Sequence, residues 1–193
     1  MKKLLVLMMA LVLTLSLAAC VENNTVSDSD ITPSSSDSNT EESIDLVEVT
    51  GNGLSFKLPA DIEYAKTDEN FGSMFFTNDE NTVVITLGVL TEDSTTSADI
   101  TDDVLLAALS GGGGFSDGSL ESSRTIEHDD GTSVVGFGKG TLPNGMVMNS
   151  VIQYFFPKDG GGYHAISYLY VVDAGSTLED TIVQVVSSVK TAK

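Results

Sequence analysis

Residues 163–173 read YHAISYLYVVD, and this stretch decides the fold. Successive side chains of a β-strand point to opposite faces of its sheet. The apolar residues that would share one face are Ile166, Tyr168, Tyr170 and Val172. Leu169 and Val171 would lie on the other face. Because a strand that is apolar on both faces must be covered on both sides, the stretch predicts a central strand with packing partners above and below.

Turn sequences lie between such runs and predict hairpins. Segments rich in Asn, Asp, Pro and Gly stand at 78–81, 130–131, 143–145 and 159–162. Each separates two runs that are rich in β-branched and aromatic residues, as hairpin turns do. The strands predicted on this basis are 53–58, 73–77, 82–90, 121–128, 132–141, 146–156 and 163–173. Because hairpins join most of them, the sheet is predicted to be antiparallel.

A first helix is predicted after the third of these strands. Thr101 is a candidate N-cap, and Asp102 and Asp103 follow in the first turn, where the helix dipole favours negative charge. The apolar stripe of this helix consists of Val104, Leu105, Ala108 and Leu109. Gly111 is placed to end the helix.

A second helix is predicted near the end of the chain. Ser176 and Glu179 have the spacing of a capping box, in which each side chain binds a backbone N–H of the other residue. The apolar residues that follow at helical spacing are Leu178, Ile182, Val185, Val186 and Val189. This single apolar face is predicted to lie on the sheet.

Two further segments complete a recognisable order of elements. Residues 53–59 read GLSFKLP, a short strand followed by Pro, and residues 185–190 close the last helix with VVSSVK. With a helix after a β-hairpin and a run of long antiparallel strands, they resemble the Mog1/PsbP-like domain of many small bacterial lipoproteins. Members often have a Trp soon after the opening Pro, whereas this chain has no Trp and reads DIEY at 61–64.

The resemblance spans nearly all of residues 46–193 and implies the fold of that segment. The implied fold class is α+β: an antiparallel sheet of about six to seven strands with two flanking helices, in an α/β/α sandwich. It also implies binding and accessory roles in larger assemblies, and it transfers no active site, because a fold does not fix a function.

Residues 1–19 have the features of a signal peptide. Lys2 and Lys3 precede an apolar run at 4–13. A transmembrane helix is disfavoured because it needs roughly 20 apolar residues and this run is shorter. The run closes on Leu17, Ala18, Ala19 and Cys20, which resemble the lipobox of bacterial lipoproteins.

The lipobox resemblance implies a lipid anchor at Cys20. In that family the thiol takes a diacylglycerol by thioether and the chain is cut just before the cysteine; palmitate is a typical acyl chain. Two acyl chains suffice for stable anchoring. Cys20 is the sole cysteine, so none is left for a disulfide, a thiolate nucleophile or a metal site. An ordinary secreted protein is the alternative.

Residues 20–45 are predicted to be a lipidated Cys followed by a disordered acidic linker. The segment after Cys20 has seven acidic residues, no basic residue, and mostly Ser, Thr and Asn otherwise. Once residues 1–19 are removed, seven basic and 28 acidic residues remain, a net charge of −21. A nucleic-acid partner is not expected, because such affinity rests on neutralising phosphates with Lys and Arg. Residues 46–193 are then the single folded domain.

Two glycine-rich stretches resemble nucleotide-binding motifs, but neither fits. Residues 111–114 are four glycines that follow a helix, without the Lys and Ser/Thr that a phosphate-binding loop requires. Gly136, Gly138 and Gly140 alternate within a predicted strand, where no helix opens as a dinucleotide motif needs. They predict a stripe without Cβ atoms that a helix or aromatic side chains can approach closely. A ligand groove is the alternative.

The remaining candidates for chemistry are two histidines and four acidic pairs. His128, beside Asp129 and Asp130, is predicted to lie in a solvated turn, with a metal site as the alternative. His164 begins the last strand, and no second His or Cys has zinc-site spacing with it. The acidic pairs at 68–69, 79–80, 102–103 and 129–130 lack the calcium-loop pattern and are predicted to be solvated turns and helix caps, with weak calcium binding as the alternative.

These observations predict a non-enzymatic binding or scaffold module for another envelope protein, held at a cell membrane through Cys20. The predicted location is the extracytoplasmic face, with a Gram-positive surface favoured over an outer membrane or periplasm. No Gly-x-Ser-x-Gly motif is present, and no catalytic, cofactor-binding or metal-ligating residue is predicted. The second hypothesis is a carrier that delivers a small ligand or metal to a transporter, which would need a pocket within one small domain.

Overall fold

The computed structural model describes residues 44–68, 72–90, 94–112, 114–172 and 175–193. The lipobox residues Leu17, Ala18, Ala19 and Cys20 lie outside the described residues, as do the rest of the signal peptide and the linker up to residue 43, so those predictions stay predictions. The Asp45 carbonyl accepts a hydrogen bond from the Ala60 N–H at 3.0 Å, so residue 45 already contacts the domain. Neither helix in the described part of the chain is long and apolar enough to cross a membrane.

The described residues form ten strands and two helices. The strands are β1 Leu46–Gly51, β2 Leu54–Pro59, β3 Ile62–Thr67, β4 Met74–Asn78, β5 Val83–Leu90, β6 Asp117–Glu127, β7 Gly131–Thr141, β8 Val147–Pro157, β9 Tyr163–Val171 and β10 Lys190–Thr191. The helices are α1 Asp102–Gly112 and α2 Thr177–Ser187. A single 3₁₀ turn, Ser97–Asp99, precedes α1.

The strands form two antiparallel sheets. The large sheet has seven strands in the order β3-β4-β5-β9-β8-β7-β6, and the small sheet has three in the order β1-β2-β10. The predicted α+β class with an antiparallel sheet and two helices is therefore confirmed. The small sheet is an addition to the prediction, which placed β2 in a single large sheet. Strands β1, β3 and β10 were not predicted: half of β1 and most of β3 are exposed, and β10 has two residues, so none shows a clean apolar alternation.

Strand β9 lies at the centre of the large sheet, between β5 and β8, as its two apolar faces predicted. Ile166 and Tyr168 are fully buried in the main core, and Leu169 is buried on the opposite face. The main core is closed by α2 and the small sheet, and the other face is covered by α1 through Leu105 and Leu109. Helices thus pack on both faces of the large sheet.

The predicted glycine stripe in β7 is confirmed: neighbouring elements pack closely against it. A Cβ added to Gly136 would lie 3.2 Å from the Cβ of Leu105 in α1. At Gly140 it would lie 2.3 Å from the Phe115 ring. A helix and an aromatic ring therefore occupy the space that side chains would take, so the stripe forms no ligand groove.

The helix ends differ from the predictions at three places. Helix α2 ends at Ser187, so residues 188–190 of the predicted last helix lie outside it, and Lys190 begins β10. Helix α1 continues through Gly112, one residue beyond the predicted stop. The Ser176 hydroxyl caps α2 by accepting from the Leu178 N–H at 3.2 Å. The predicted capping box is wrong in its second half, because the Glu179 carboxylate accepts from the Asn149 side-chain amide of β8 at 3.2 Å instead.

Candidate docking groove

An open apolar groove of about 420 Å³ lies at the seam where the small sheet meets the edge of the large sheet. Its lining residues come from β1, from β3 and β4, and from the turn before β3: Val47, Val49, Thr50, Ala60, Ile62, Glu63, Tyr64, Met74 and Phe76. We call this the seam groove. Two strands that the sequence did not predict, β1 and β3, supply most of its lining.

One wall of the groove is the apolar side of β1, which no neighbouring strand of the small sheet covers. In the β1–β2 register Val47 lies opposite Leu58 and Val49 opposite Phe56. Leu58 and Phe56 are completely buried in the main core, but β1 is the outer strand of its sheet. Val47, which lies on the same side, is therefore 50% exposed.

The opposite wall is aromatic. Tyr64 is 53% exposed, and its ring packs edge-on against Phe76 with centroids 6.0 Å apart. Phe76 in turn packs against Phe56 at 5.7 Å, so the groove floor is continuous with the main core. An irregularity in the β3–β4 register falls between Tyr64 and Lys66. The groove is thus an opening of the core to solvent, and its floor consists of packed core side chains.

The charge around the groove is negative. Glu63 is the only charged lining residue, and it forms no salt bridge with any other described residue. Glu48, on the outer side of β1, accepts hydrogen bonds from Ser55 and from Lys190, the latter at 3.0 Å. These bonds hold the pKa of the Glu48 carboxyl below its usual value, and the hydrogen bond from Ser55 is the largest cause. The Glu48 carboxylate is therefore negative near neutral pH.

A second cleft of about 370 Å³ lies beside the glycine-rich β8–β9 turn. Lys158 is its charged lining residue. The Lys158 ammonium donates to the carbonyl oxygens of His128 and Asp129 at 3.1 and 2.9 Å. This cation therefore tethers the neighbouring turn, which makes the cleft a weaker candidate for binding than the seam groove.

Of the two histidines, His164 lies at the start of β9 as predicted, whereas His128 differs from expectation. His128 is not in a fully solvated turn: its Nε2 lies 2.9 Å from the Ser133 hydroxyl, and its ring packs against Phe155. Burial is the main cause that lowers its pKa. His164 also has a pKa lowered by burial, and its buried Nδ1 has no hydrogen-bond partner.

The His128–Ser133 pair does not resemble a nucleophile and base. Ser133 is completely buried, and its hydroxyl also accepts from the Gln153 amide at 2.9 Å. No substrate can reach that oxygen in this structure. The pair belongs to the buried polar contacts that hold the sheet and α2 together.

Two of the acidic pairs contribute side chains that bind residues far along the chain. Asp130, predicted to be solvated, accepts from both the backbone N–H and the hydroxyl of Thr191, at 2.6 and 2.5 Å, and so ties β10 to the β6–β7 turn. Asp102 accepts from the Ser123 hydroxyl at 2.6 Å. No group of three or more His, Cys, Asp or Glu side chains positioned for a metal occurs in the described ranges.

The lowered histidine pKa values predict that mild acid destabilises the domain. Unfolded histidine binds a proton near pH 6.5, whereas folded His128 and His164 bind one only at lower pH. The unfolded state therefore takes up more protons, and stability is lost as the pH falls from about 6.5 through the lowered values. The urea midpoint should be lower at about pH 5 than at about pH 7.5.

A variant isolates one contribution to this pH dependence. His164 packs beside Phe155, with ring centroids 6.2 Å apart, so His164→Phe keeps an aromatic ring and removes the titrating group. The variant should show a smaller drop in midpoint between the two pH values. A midpoint for the unaltered chain that is equal or higher at the acid pH would contradict the prediction.

The domain is an α+β sandwich. It combines a seven-stranded and a three-stranded antiparallel sheet, and helices pack on both faces of the large sheet. No family model matches the chain, and no curated protein matches it by sequence. Solved structures do match. Cyanobacterial PsbP (CyanoP) from Synechocystis sp. PCC 6803 has a TM-score of 0.57 and 11% identity, over 81% of this chain and 98% of that chain.

Two other solved structures have a similar fold. The Ran-binding protein Mog1p of Saccharomyces cerevisiae has a TM-score of 0.54 and 11% identity, over 77% of this chain and 96% of that chain. LpqN of Mycobacterium tuberculosis, which is involved in cell envelope biogenesis, has a TM-score of 0.50 and 16% identity, over 79% and 94%. These likenesses confirm the predicted Mog1/PsbP-like fold, and at such identities they establish the fold alone.

Proposed function

We propose that this protein is a lipid-anchored extracytoplasmic lipoprotein whose domain binds another envelope protein, without catalysis, through the seam groove. The observation that supports this function best is the groove itself. It exposes Val47 and Tyr64 over a floor that belongs to the core. Exposed apolar surface beside an aromatic side chain is typical of protein-binding sites.

The openness of the groove favours a protein partner over a small cargo. Small-ligand sites bury most of the surface of their ligand. The seam groove is open to solvent, so it would leave a small molecule largely exposed, whereas a protein segment would continue beyond it. This is the reason for ranking the binding module above the small-ligand or metal carrier.

The proposed anchor is consistent with the position of the groove. The β1 wall begins at Leu46, directly after the segment that the sequence predicts to be a linker. A flexible linker of that length spans roughly 25–30 Å. With a lipid on Cys20, the groove would sample the layer just above the membrane surface, where the exposed parts of envelope proteins lie.

The roles of two structural neighbours support a binding or accessory role by analogy. Mog1p is a Ran-binding protein, and LpqN is involved in cell envelope biogenesis. Because the likeness is one of fold, the analogy supports the class of function, and the groove supports its location.

Site-specific photocrosslinking in intact cells tests the proposal. With p-benzoylphenylalanine in place of Tyr64, irradiation should give a discrete adduct with one envelope protein. The same group in place of Val183 is the matched control, because Val183 is 51% exposed but lies on α2, away from the groove. The control should give no such adduct.

The anchor is tested in the same cells. Cys20→Ser should abolish labelling by radioactive palmitate and release the protein from the membrane fraction, and the Tyr64 adduct should weaken because the domain is no longer held near its partner. Equal adducts at both positions would contradict binding through the groove. Palmitate labelling that survives Cys20→Ser would contradict the anchor.

A further inference from the structure

We infer that the partner segment is an extended chain of alternating apolar and basic residues, which adds to β1 as a fourth strand of the small sheet. This inference rests on the proposed function and specifies the partner. It follows from three features of the groove: a free strand edge, one apolar side and an unpaired carboxylate.

The free edge is that of β1. In the small sheet β1 pairs with β2 alone among the described strands, so its other edge presents N–H and C=O groups that are not used in a ladder. The β1–β2 register is unbroken from Leu46↔Pro59 to Gly51↔Leu54. Strand β3 on the opposite wall is also an edge strand, but its pairing with β4 shifts register between Tyr64 and Lys66, so the more regular β1 is the better template for strand addition.

The apolar half of the pattern follows from the strand period. Residues of an added strand that lie beside Val47 and Val49 would share their side of the sheet. That side faces the wall formed by Tyr64, Met74 and Phe76. Every second residue of the partner would therefore be apolar, with a side chain that fills the groove.

The basic half follows from the charge. Glu63 lines the groove and forms no salt bridge within the described part of the chain. The alternate residues of the added strand would lie on the outer side of the sheet, beside Glu48, which is about half exposed. Lys or Arg at these positions would lie beside Glu48, and Glu63 on the groove wall and the net charge of −19 would add a longer-range attraction.

The same charge argues against the other occupants. The chain's own predicted linker has seven acidic residues and no basic one, so it would bring further negative charge to Glu63. A second copy of the chain would offer its own β1, with Glu48, and another net charge of −19. Like charges on neighbouring strands are destabilising.

Synthetic nine-residue peptides test the inference against the full chain in detergent. The first alternates Val and Lys, the second alternates Val and Glu, and the third has the composition of the first in a block arrangement. Fluorescence anisotropy should give at least tenfold tighter binding for the Val–Lys peptide than for either of the others. Methylation of its backbone nitrogens along one edge should weaken binding at least tenfold, because a strand ladder needs those N–H groups.

A charge-reversal variant tests whether the peptide binds at the seam groove. Glu63→Lys should weaken the Val–Lys peptide at least fivefold and strengthen the Val–Glu peptide. Asp159→Lys is the matched control, since it makes the same change at an exposed residue of the β8–β9 turn. It should change both affinities less than twofold.

Three results would overturn the inference. The first is equal affinity for the three peptides, and the second is binding that backbone methylation does not change. The third is a concentration-dependent dimer that excludes the Val–Lys peptide, because the groove would then be occupied by a second copy of the chain. The proposed function fails separately, through the Tyr64 crosslink. An adduct at Tyr64 that maps to an acidic or helical partner segment would leave that function standing and refute the strand addition.

Discussion

Gly138→Ala is expected to lower the free energy of unfolding by about 3 kcal/mol, the upper end of the usual cost of overpacking. An added Cβ would lie 2.1 Å from the backbone carbonyl oxygen of Ser119 and 3.1 Å from Cδ1 of Leu109. Gly138 pairs with Leu120 in the β6–β7 ladder, directly beside Ser119, so the carbonyl cannot move without distorting that ladder. Urea unfolding followed by circular dichroism measures the loss.

Two other glycines calibrate this prediction. A Cβ at Gly88, in the inner strand β5, would meet its nearest atom, the Ser73 hydroxyl oxygen, at an ordinary 3.6 Å. Gly88→Ala should therefore change stability by less than about 1 kcal/mol. At Gly136 the nearest atoms, 3.1–3.2 Å away, are side-chain carbons of Leu120 and Leu105, so its cost should be intermediate. If Gly88→Ala lowered the free energy of unfolding as much as Gly138→Ala, replacement of any strand glycine would explain the loss, and the close contact at Gly138 would not.

The glycine stripe was predictable because its signal is local. Gly136, Gly138 and Gly140 stand two residues apart, and the strand period alone places them on one face. The sequence could not say which element would approach them, because that depends on how the chain returns over the sheet. The structure supplies α1 and Phe115.

The seam groove was not predictable for the opposite reason. Its walls come from separate segments, with Val47 and Val49 on one side and Tyr64 and Phe76 on the other. Each strand has a weak pattern, since half of β1 and most of β3 are exposed. The groove arises only when the small sheet stacks on the edge of the large one, a contact that no local periodicity encodes. The alternation of Val47 and Val49 with Glu48 was the one signal that could have indicated an edge strand.

The same limit explains the errors at the polar residues. His128 and Asp130 lie in a turn whose local sequence predicts solvation, yet both have partners far along the chain or within the core. Asp130 binds Thr191, 61 residues away, and His128 contacts the buried Ser133. A turn sequence predicts the path of the backbone, but it does not report the burial that later elements impose.

The buried contacts around Gln153 connect these elements and hold the groove in shape. Gln153 is fully buried on β8, and its amide nitrogen donates to the Val186 carbonyl of α2 at 2.8 Å and to Ser133 at 2.9 Å. Its amide oxygen accepts from the Tyr168 hydroxyl at 2.9 Å. Because α2 leads into β10, which pairs with β2, a fixed α2 helps to fix the small sheet above the large one. The groove therefore depends on this distant amide.

Gln153→Leu should lower the free energy of unfolding by about 3 kcal/mol, because each buried polar group left without a partner costs roughly 1–3 kcal/mol. The substitution deprives the Tyr168 hydroxyl and the Val186 carbonyl of their partner while keeping a side chain of similar size. Gln184→Leu is the matched control, because Gln184 is exposed on α2 and its loss should stay within about 0.5 kcal/mol. Urea unfolding of both variants at neutral pH gives the comparison.

A double-mutant cycle separates the hydrogen bond from the packing. Tyr168→Phe alone should cost about 1–2 kcal/mol, because it leaves the Gln153 oxygen buried without a donor. In the double variant the hydroxyl and the amide are both absent, so the combined loss should be smaller than the sum by roughly 1 kcal/mol. Strict additivity would mean that the two residues act through packing alone. If the coupling is found, Gln153→Leu should also weaken the photocrosslink at Tyr64, since a small sheet that is held less firmly gives the partner a less fixed groove.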